Sequence, residues 1–181
     1  MQKKIGDLGV FLHGSFFDIP LEKDFFACTI SLHTIYHIDK DRQEEAVRKL
    51  IKVTKPGKSV IIVYSNPNSI IFSLRSLFFI NALKKAVIFF NMMRKKKKKE
   101  KDENIYFYPH PIEWWNIFSD VALIQIKPWR SLSSDVQKRL IPNNRIGAII
   151  LKLLFNLEDR FPEFFVKYFQ YPMIILTKIK S

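Results

Sequence analysis

The chain has 181 residues and is strongly basic, with 30 Lys and Arg residues against 17 Asp and Glu residues and a formal net charge of +13. Its hydrophobic content of 48% is enough for a packed core and argues against an intrinsically disordered chain. The single cysteine, Cys28, excludes an internal disulfide and any multi-cysteine zinc site. With no apolar run near Met1 long enough for a signal peptide, we expect a cytoplasmic protein.

Two short apolar runs near the N-terminus predict buried strands. The first, Val10–His13, leads into Gly14 and a turn at Asp18-Ile19-Pro20. The second, Ala27–Ser31, has few charges and includes β-branched residues. Parallel strands covered on both faces have this composition because neither face meets water. We therefore expect Cys28 to be buried and, without a basic neighbour, unreactive.

Residues 41–53 carry the clearest helical pattern. Asp41 is the expected N-cap residue, and Glu44–Arg48 and Glu45–Lys49 are favourable i,i+4 pairs. One apolar stripe predicts the buried face of this helix, and its residues are Ala46, Val47, Leu50 and Ile51.

A strand is predicted directly after this helix. Lys55-Pro56-Gly57 would end the helix, and Ser59–Tyr64 would form the next buried strand. Strand, helix and strand in this order predict a βαβ unit with a right-handed crossover.

Residues 70–104 are interpreted as a helical insert with a Lys-rich loop. The stretch 70–93 is apolar but contains Arg75, Lys84 and Lys85, each of which would cost about 3 kcal/mol at the centre of a bilayer. Residues 94–101 then read RKKKKKEK. Two interpretations stay open: a lid helix with a solvated basic loop, or an interfacial helix on an anionic membrane surface. No nucleic-acid-binding motif accompanies the charge, so nucleic acid is not the expected partner.

The C-terminal part of the chain predicts further regular elements. A short helix runs from Pro111 through Phe118, residues 145–158 have a helical period, and Val121–Lys127 and Met173–Ile179 are predicted strands. The complete order predicts an α/β sheet with a helical insertion.

Residues 25–69 resemble class I S-adenosyl-L-methionine-dependent methyltransferases of the type 11, or ubiquinone-biosynthesis-like, group. The matching features are residues 29–33 (Thr-Ile-Ser-Leu-His) at a strand end, Tyr36-His37 in the following helix, and Lys55-Pro56-Gly57 before the next strand. The similarity extends over residues 9–69 and more weakly to the last two strands. It implies a truncated Rossmann-like sheet, with residues 1–181 as a partial domain holding the third to seventh strands of the family.

Three features depart from the family pattern. Phe26 stands where the family usually has Asp, and Ser15 replaces the acid that contacts adenine. The five glycines include no G-x-G turn, whose glycines let backbone approach a cofactor closely. We therefore expect a C-terminal half only, with methyl transfer impaired or dependent on a complementing N-terminal half.

The resemblance also implies roles for single residues. Ser15 and Phe16 would face the adenine of S-adenosyl-L-methionine, and Ser31, Leu32 and His33 would line its methionine end. His33 and His37 are candidate general bases near neutral pH. For His37 the alternative is a packed helix residue that bonds a backbone carbonyl, and for His33 a packing role.

An aromatic segment precedes the last strands. It is either a substrate platform, with Tyr108 and His110 against the acceptor, or a hydrophobic wedge, and its members are Tyr106, Tyr108, His110, Trp114 and Trp115. The four histidines lack metal-ligand spacing, so no metal is expected.

Two functions are consistent with these patterns. The first is methyl transfer to a small-molecule or lipid-linked acceptor. The alternative is a non-catalytic α/β module that binds an acidic membrane surface through residues 70–101.

Overall fold

A computed structural model describes residues 9–69, 106–132 and 134–180. The predicted helix at 70–93, the Lys-rich run and the rest of the 70–104 insert lie outside the described residues.

Four strands form one mixed sheet in the described part of the chain: β1 (Phe26–Leu32), β2 (Thr54–Val63), β3 (Ala122–Arg130) and β4 (Tyr171–Lys178). The strand order is β1-β2-β4-β3. Strand β1 is parallel to β2, and β4 is antiparallel to both β2 and β3. The carboxyl ends of β1, β2 and β3 therefore lie at the same edge of the sheet.

Helices connect these strands. Helix α1 (Gln43–Val53) joins β1 to β2 and follows two 3₁₀ turns, Ile35–His37 and Lys40–Arg42. A 3₁₀ helix precedes β3, and three helices separate β3 from β4; these elements are Ile112–Phe118, α2 (Ser134–Leu140), α3 (Arg145–Arg160) and α4 (Pro162–Tyr168). The sequence predicted α1, the 3₁₀ helix and α3, but not α2 or α4.

The predicted apolar stripe of α1 is confirmed as the face that packs on the sheet. Ala46 and Val47 are fully buried in the same core cluster as Val60 and Ile62 of β2. The predicted Glu44–Arg48 pair is also present, with Arg48 Nε 2.7 Å from Glu44 Oε1. At this exposed position such a pair adds only about 0.3–0.5 kcal/mol, so the buried stripe determines where α1 lies.

Two details of the α1 prediction are wrong. Asp41 does not cap the helix, because a 3₁₀ turn occupies residues 40–42 and the helix begins at Gln43. Lys49 does not pair with Glu45; Arg42 Nε instead donates to Glu45 Oε2 at 3.2 Å. Lys49 Nζ donates to three backbone carbonyls instead, those of Phe16, Phe17 and Ile19, at 2.7–3.0 Å.

The segment Lys55-Pro56-Gly57 belongs to β2 and not to a separate turn. Strand β2 begins at Thr54, directly after α1, and Gly57 adopts a φ of 73° that other residues rarely take. Phe26 pairs with Thr54 but Cys28 pairs with Ser59, so the register shifts across this stretch. The bulged start of β2 thus replaces the predicted loop.

The prediction of a strand at Val10–His13 is wrong. These residues are not in a strand, and Val10 is 89% exposed. The following segment is a turn, in which the backbone N–H groups of Asp18 and Ile19 both donate to the Ser15 carbonyl. A short apolar run forms a strand only where another strand can pair with it, and the turn is held on α1 instead.

Strand β1 exists as predicted, but it is not buried on both faces. Within the described residues it pairs only with β2, so its second edge is open. Ile30, Leu32 and Cys28 are exposed, which corrects the expectation of a buried cysteine. Thr29 points to the covered face, where its hydroxyl contacts the Thr54 hydroxyl.

The core lies between α1 and one face of the sheet. Val60 pairs with Leu176 and Ile62 pairs with Ile174, and all four side chains are fully buried. Trp115 and Phe118 from the 3₁₀ helix belong to the same cluster. Among the described helices, none is long and apolar enough to cross a membrane.

Candidate functional site

His33 follows the last residue of β1 and has an unusual backbone. Its φ is 57°, in the left-handed region, which costs a non-glycine residue of order 1–3 kcal/mol. A hydrogen bond from the His33 N–H to the Val63 carbonyl, at 3.1 Å, holds this conformation. Strained residues of this kind cluster at functional sites, which makes the end of β1 a candidate.

The His33 side chain lies against two tyrosines. Nδ1 is 2.9 Å from the Tyr36 hydroxyl, and the imidazole ring meets Tyr171 edge to face at 4.8 Å between centroids. Partial burial, followed by the positive charge of Arg130 and the neighbouring His37, lowers the pKa of His33 below its ordinary value of 6.5. The imidazole is therefore neutral at pH 7 and can accept a proton.

Tyr36 keeps its proton throughout the physiological pH range. Burial, with a smaller effect of Tyr171, raises the pKa of Tyr36 to about 12. Its hydroxyl can therefore donate to His33 Nδ1 or accept from it, according to the tautomer of the imidazole.

His37 is exposed, and its tautomer follows from its partner. Nδ1 lies 2.6 Å from the backbone carbonyl oxygen of Tyr106. A carbonyl oxygen only accepts, so Nδ1 carries the proton and Nε2 keeps its lone pair in the neutral ring. His37 thus does bond a backbone carbonyl, as one alternative held, but its ring is not packed in the core.

A buried hydrogen-bond network fixes the segment that holds His37. The Tyr64 hydroxyl donates to Gln43 Oε1 at 2.6 Å and accepts from the His110 N–H at 2.9 Å. Gln43 Nε2 donates to the Tyr108 carbonyl at 2.7 Å, and the Tyr108 N–H donates to the Tyr36 carbonyl at 2.9 Å. Sequence reasoning missed Gln43 and Tyr64, because neither belongs to a local motif.

The aromatic segment divides between the surface and the core. Tyr106 is 58% exposed, whereas Trp115 is completely buried in the core cluster. Tyr108 lines a cleft of about 280 Å³ with Lys40 and Asn66. The cleft lies beside the loop that follows β2.

His110 does not line the cleft beside Tyr108. Its ring stacks on Trp114 at 4.2 Å between centroids, and burial lowers the pKa of His110. Its Nε2 is buried and has no hydrogen-bond partner among the described residues. The structure therefore separates the two predicted substrate residues.

The predicted cofactor residues fall into two groups. Ser31, Leu32 and His33 lie together at the carboxyl end of β1. Phe16 packs against the core, with Lys49 Nζ 5.2 Å from the centre of its ring. In the part of the chain that the structure describes, no hydrogen bond or ring contact joins Ser15 or Phe16 to the first group.

Among the described residues, no group of three or more His, Cys, Asp or Glu side chains is placed to hold a metal ion.

Several solved structures are similar in fold to this chain. The YcgJ protein from Bacillus subtilis matches 99% of this chain and 75% of its own, with a TM-score of 0.51 and 17% identity. An S-adenosyl-L-methionine (SAM)-dependent methyltransferase from Thermotoga maritima matches 98% of this chain and 69% of its own, with a TM-score of 0.51 and 14% identity. No family model matches the sequence, and no curated protein does.

Another match is a SAM-dependent methyltransferase from Archaeoglobus fulgidus, at 14% identity and a TM-score of 0.45. It covers 87% of this chain, which spans 61% of the length of that protein. By their similarity to the Bacillus subtilis and Thermotoga maritima structures, the described strands and helices have the Rossmann-like α/β fold of class I methyltransferases. The Rossmann-like α/β class that the resemblance implied is confirmed, whereas the strand expected at Val10–His13 does not belong to the four-stranded sheet of the described residues.

Proposed function

We propose that this chain takes part in SAM-dependent methyl transfer to a small-molecule or lipid-linked acceptor. The observation that carries the proposal is the left-handed His33 at the carboxyl end of β1, in a sheet with the methyltransferase fold. In open α/β sheets, ligands bind outside the carboxyl ends of the strands. Ser31, Leu32 and His33 would line the methionine end of the cofactor there.

The two histidines are the candidate general bases of this reaction. When bound, the cofactor would supply an electrophilic methyl group on a sulfonium. His37 Nε2 would take the proton of the acceptor, while the methyl group would pass to the acceptor with cleavage of its bond to the sulfonium sulfur, which would leave as a thioether. His33 is the second candidate, because its imidazole is neutral at pH 7.

The proposed reaction also needs a complementing N-terminal half of the methyltransferase domain. In the described part of the chain, β1 is the outer strand of the sheet and pairs only with β2. A nucleotide pocket of this fold needs backbone on both sides of β1. Further backbone, whether in this polypeptide or another, would fill that position and bring adenine against Ser15 and Phe16. Without it, we expect weak cofactor binding and impaired methyl transfer.

Nuclear magnetic resonance with S-adenosylhomocysteine tests the proposal. We expect millimolar binding, with amide shifts concentrated at Ser31, Leu32 and His33. The variant His33→Asn should weaken binding, whereas the matched variant His13→Asn, in the exposed N-terminal run, should not. Shifts scattered over the surface, or none at millimolar ligand, would contradict the proposal. Tight micromolar binding by the chain alone would contradict the need for a complementing half.

A second candidate function is binding to an acidic membrane surface, which would place the protein at the cytoplasmic face of a membrane. The predicted binding segment, 70–101, lies outside the described residues, but α3 provides an independent observation. Five apolar side chains along one side of α3 are each 40–62% exposed: Ile146, Ile149, Ile150, Leu153 and Leu157. Such a stripe on a chain of net charge +13 is typical of an interfacial helix.

Vesicle flotation distinguishes this second function. With phosphatidylserine vesicles we expect binding that weakens as salt increases, because salt screens surface charge. The variant Ile149→Ser/Leu153→Ser should reduce flotation, whereas Phe155→Ser, which changes an exposed apolar residue on the opposite side of α3, should not. Equal flotation with neutral phosphatidylcholine vesicles would contradict an electrostatic contribution.

A further inference from the structure

The cleft beside Tyr108 lies at the same edge of the sheet as His33. Ser65 and Asn66, which line the cleft, come shortly after the end of β2, and β2 is the neighbour of β1. The two strands are parallel, and the His33 N–H donates to the Val63 carbonyl across them. Ligands of open α/β sheets bind at this carboxyl edge. The cleft is therefore placed to hold a molecule next to the candidate cofactor residues.

Hydrogen bonds fix both walls of the cleft. On one side, Asn66 is buried, and its Nδ2 atom lies 2.9–3.2 Å from three backbone carbonyl oxygens in residues 166–169. On the other side, the Tyr108 N–H donates to the Tyr36 carbonyl, and Gln43 Nε2 donates to the Tyr108 carbonyl. Because these walls are already ordered, a ligand that binds between them loses little affinity to the ordering of loops.

The lining of the cleft combines apolar surface with one positive charge. The volume of about 280 Å³ is close to the lower bound of roughly 300 Å³ for small-molecule sites, so the cleft selects a small ligand. Pro67, Phe107 and Pro109 contribute apolar surface. Among the described residues that line the cleft, Lys40 is the only charged one.

The ammonium group of Lys40 has no counter-ion in the described part of the chain. No described carboxylate lies within ion-pair distance of it. Asp39 and Asp41 flank Lys40 in the sequence, but both are exposed and neither lines the cleft. Burial lowers the pKa of His110, and the positive charge of Lys40 lowers it further. The ammonium group is therefore near His110, which follows the lining residue Pro109.

This combination of charge and apolar surface selects the ligand. An ammonium group only donates hydrogen bonds, so a carboxylate is a suitable partner for it. Aromatic rings pack favourably on other aromatic rings, and the rings of Phe107 and Tyr108 are 40% and 48% exposed. We propose that this cleft binds a small aromatic carboxylic acid, with its carboxylate on Lys40 and its ring against Phe107 and Tyr108.

The bound acid would be the methyl acceptor of the proposed reaction. His37 borders the aromatic wall, with 6.1 Å between the centres of its ring and the Phe107 ring. A hydroxyl group on the acid would lose its proton to His37 Nε2 while the hydroxyl oxygen bonds to the methyl carbon. That bond forms as the carbon–sulfur bond of the sulfonium breaks, and the electron pair stays on the sulfur. The acceptor role rests on the proposed function, whereas the acid site itself does not.

Nuclear magnetic resonance titration without cofactor tests the acid site, with phenylacetate as the probe and phenylacetamide as its uncharged counterpart. We expect the wild type to bind phenylacetate about fivefold more tightly, because only the carboxylate pairs with the exposed Lys40. Lys40→Gln should remove this preference by weakening phenylacetate alone, and phenylacetamide binding should stay within about twofold. Lys52→Gln removes the same charge from the last turn of α1, away from the cleft, and should preserve the preference.

Amide shifts in the same titration locate the bound acid. We expect the largest shifts at Lys40, Asn66 and Tyr108. Equal binding of the two ligands by the wild type would overturn the proposal, as would equal losses from Lys40→Gln and Lys52→Gln or shifts outside the cleft. Such a result with the S-adenosylhomocysteine shifts at His33 intact would reject the acid site alone. Phenylacetate binding without any S-adenosylhomocysteine shift would instead overturn the acceptor role of the acid.

Discussion

The Tyr64 hydroxyl donates a 2.6 Å hydrogen bond to Gln43 inside the core and links α1 to the end of β2. The same hydroxyl accepts from the His110 N–H, so one oxygen satisfies two buried groups. Tyr64→Phe keeps the ring but leaves both groups without a partner. We expect it to lower the free energy of unfolding by about 1–3 kcal/mol in urea titrations.

Tyr106→Phe is the matched control for this variant. The Tyr106 ring is largely exposed, so loss of its hydroxyl should change stability by no more than about 0.5 kcal/mol. Equal effects of the two variants would contradict the importance of the buried network.

The second prediction concerns stability in acid. Burial lowers the pKa of both His33 and His110, so the folded state binds these protons less tightly than the unfolded state, whose histidines titrate near 6.5. As the pH falls below about 7, the unfolded state takes up more protons at these two positions than the folded state, and their contribution to stability decreases. Above about pH 7, the stability contributed by the lowered pKa values of His33 and His110 is fully present.

Urea midpoints measured between pH 8 and pH 5 test this sign. The double variant His33→Asn/His110→Asn should show a flatter decrease than the wild type, whereas His13→Asn should leave the slope unchanged. A midpoint that rises as the pH falls would contradict the direction of both pKa shifts.

Lys49 holds the turn at residues 15–19 on α1. Because its ammonium donates to three carbonyl oxygens of that turn, Lys49→Met should detach it at a cost of about 1–3 kcal/mol. Hydrogen exchange should show faster exchange at Asp18 and Ile19, whose N–H groups close the turn. Lys52→Met, one turn along the exposed side of α1, is the control and should leave this exchange unaltered.

Local apolar runs and periodicity were sufficient to predict α1, β2, β3 and β4. Their buried faces repeat within a few residues, as Ala46, Val47, Leu50 and Ile51 do, and this signal does not depend on distant neighbours. Val10–His13 and the burial of β1 were mispredicted for the opposite reason. An apolar run pairs as a strand only if a distant segment of the chain lies beside it. The position of a strand at the centre or the edge of a sheet depends on such distant segments too, and the local sequence does not reveal it.

The residues of the candidate site that follow one another in the sequence could be predicted, but those contributed by distant strands could not. Ser31, Leu32 and His33 follow a strand and carry a family resemblance, and the structure places them at the expected edge. Tyr171 and Arg130 could not be found in this way, because they belong to β4 and β3 and follow His33 by more than 90 residues. Tyr171 contacts the His33 ring, and Arg130 acts on it through its charge.

The last prediction identifies which face of the sheet is the core. Leu176 on β4 is fully buried, whereas Leu123 on β3 is 68% exposed, although the two residues lie in neighbouring strands of one sheet. Leu176→Ala should lower the free energy of unfolding by about 2–5 kcal/mol, because it removes buried methyl groups and leaves a cavity. Leu123→Ala removes the same atoms from solvent and should cost no more than about 0.5 kcal/mol. A large cost for Leu123→Ala, measured by urea unfolding, would mean that the face opposite α1 is covered in solution by groups beyond the described residues.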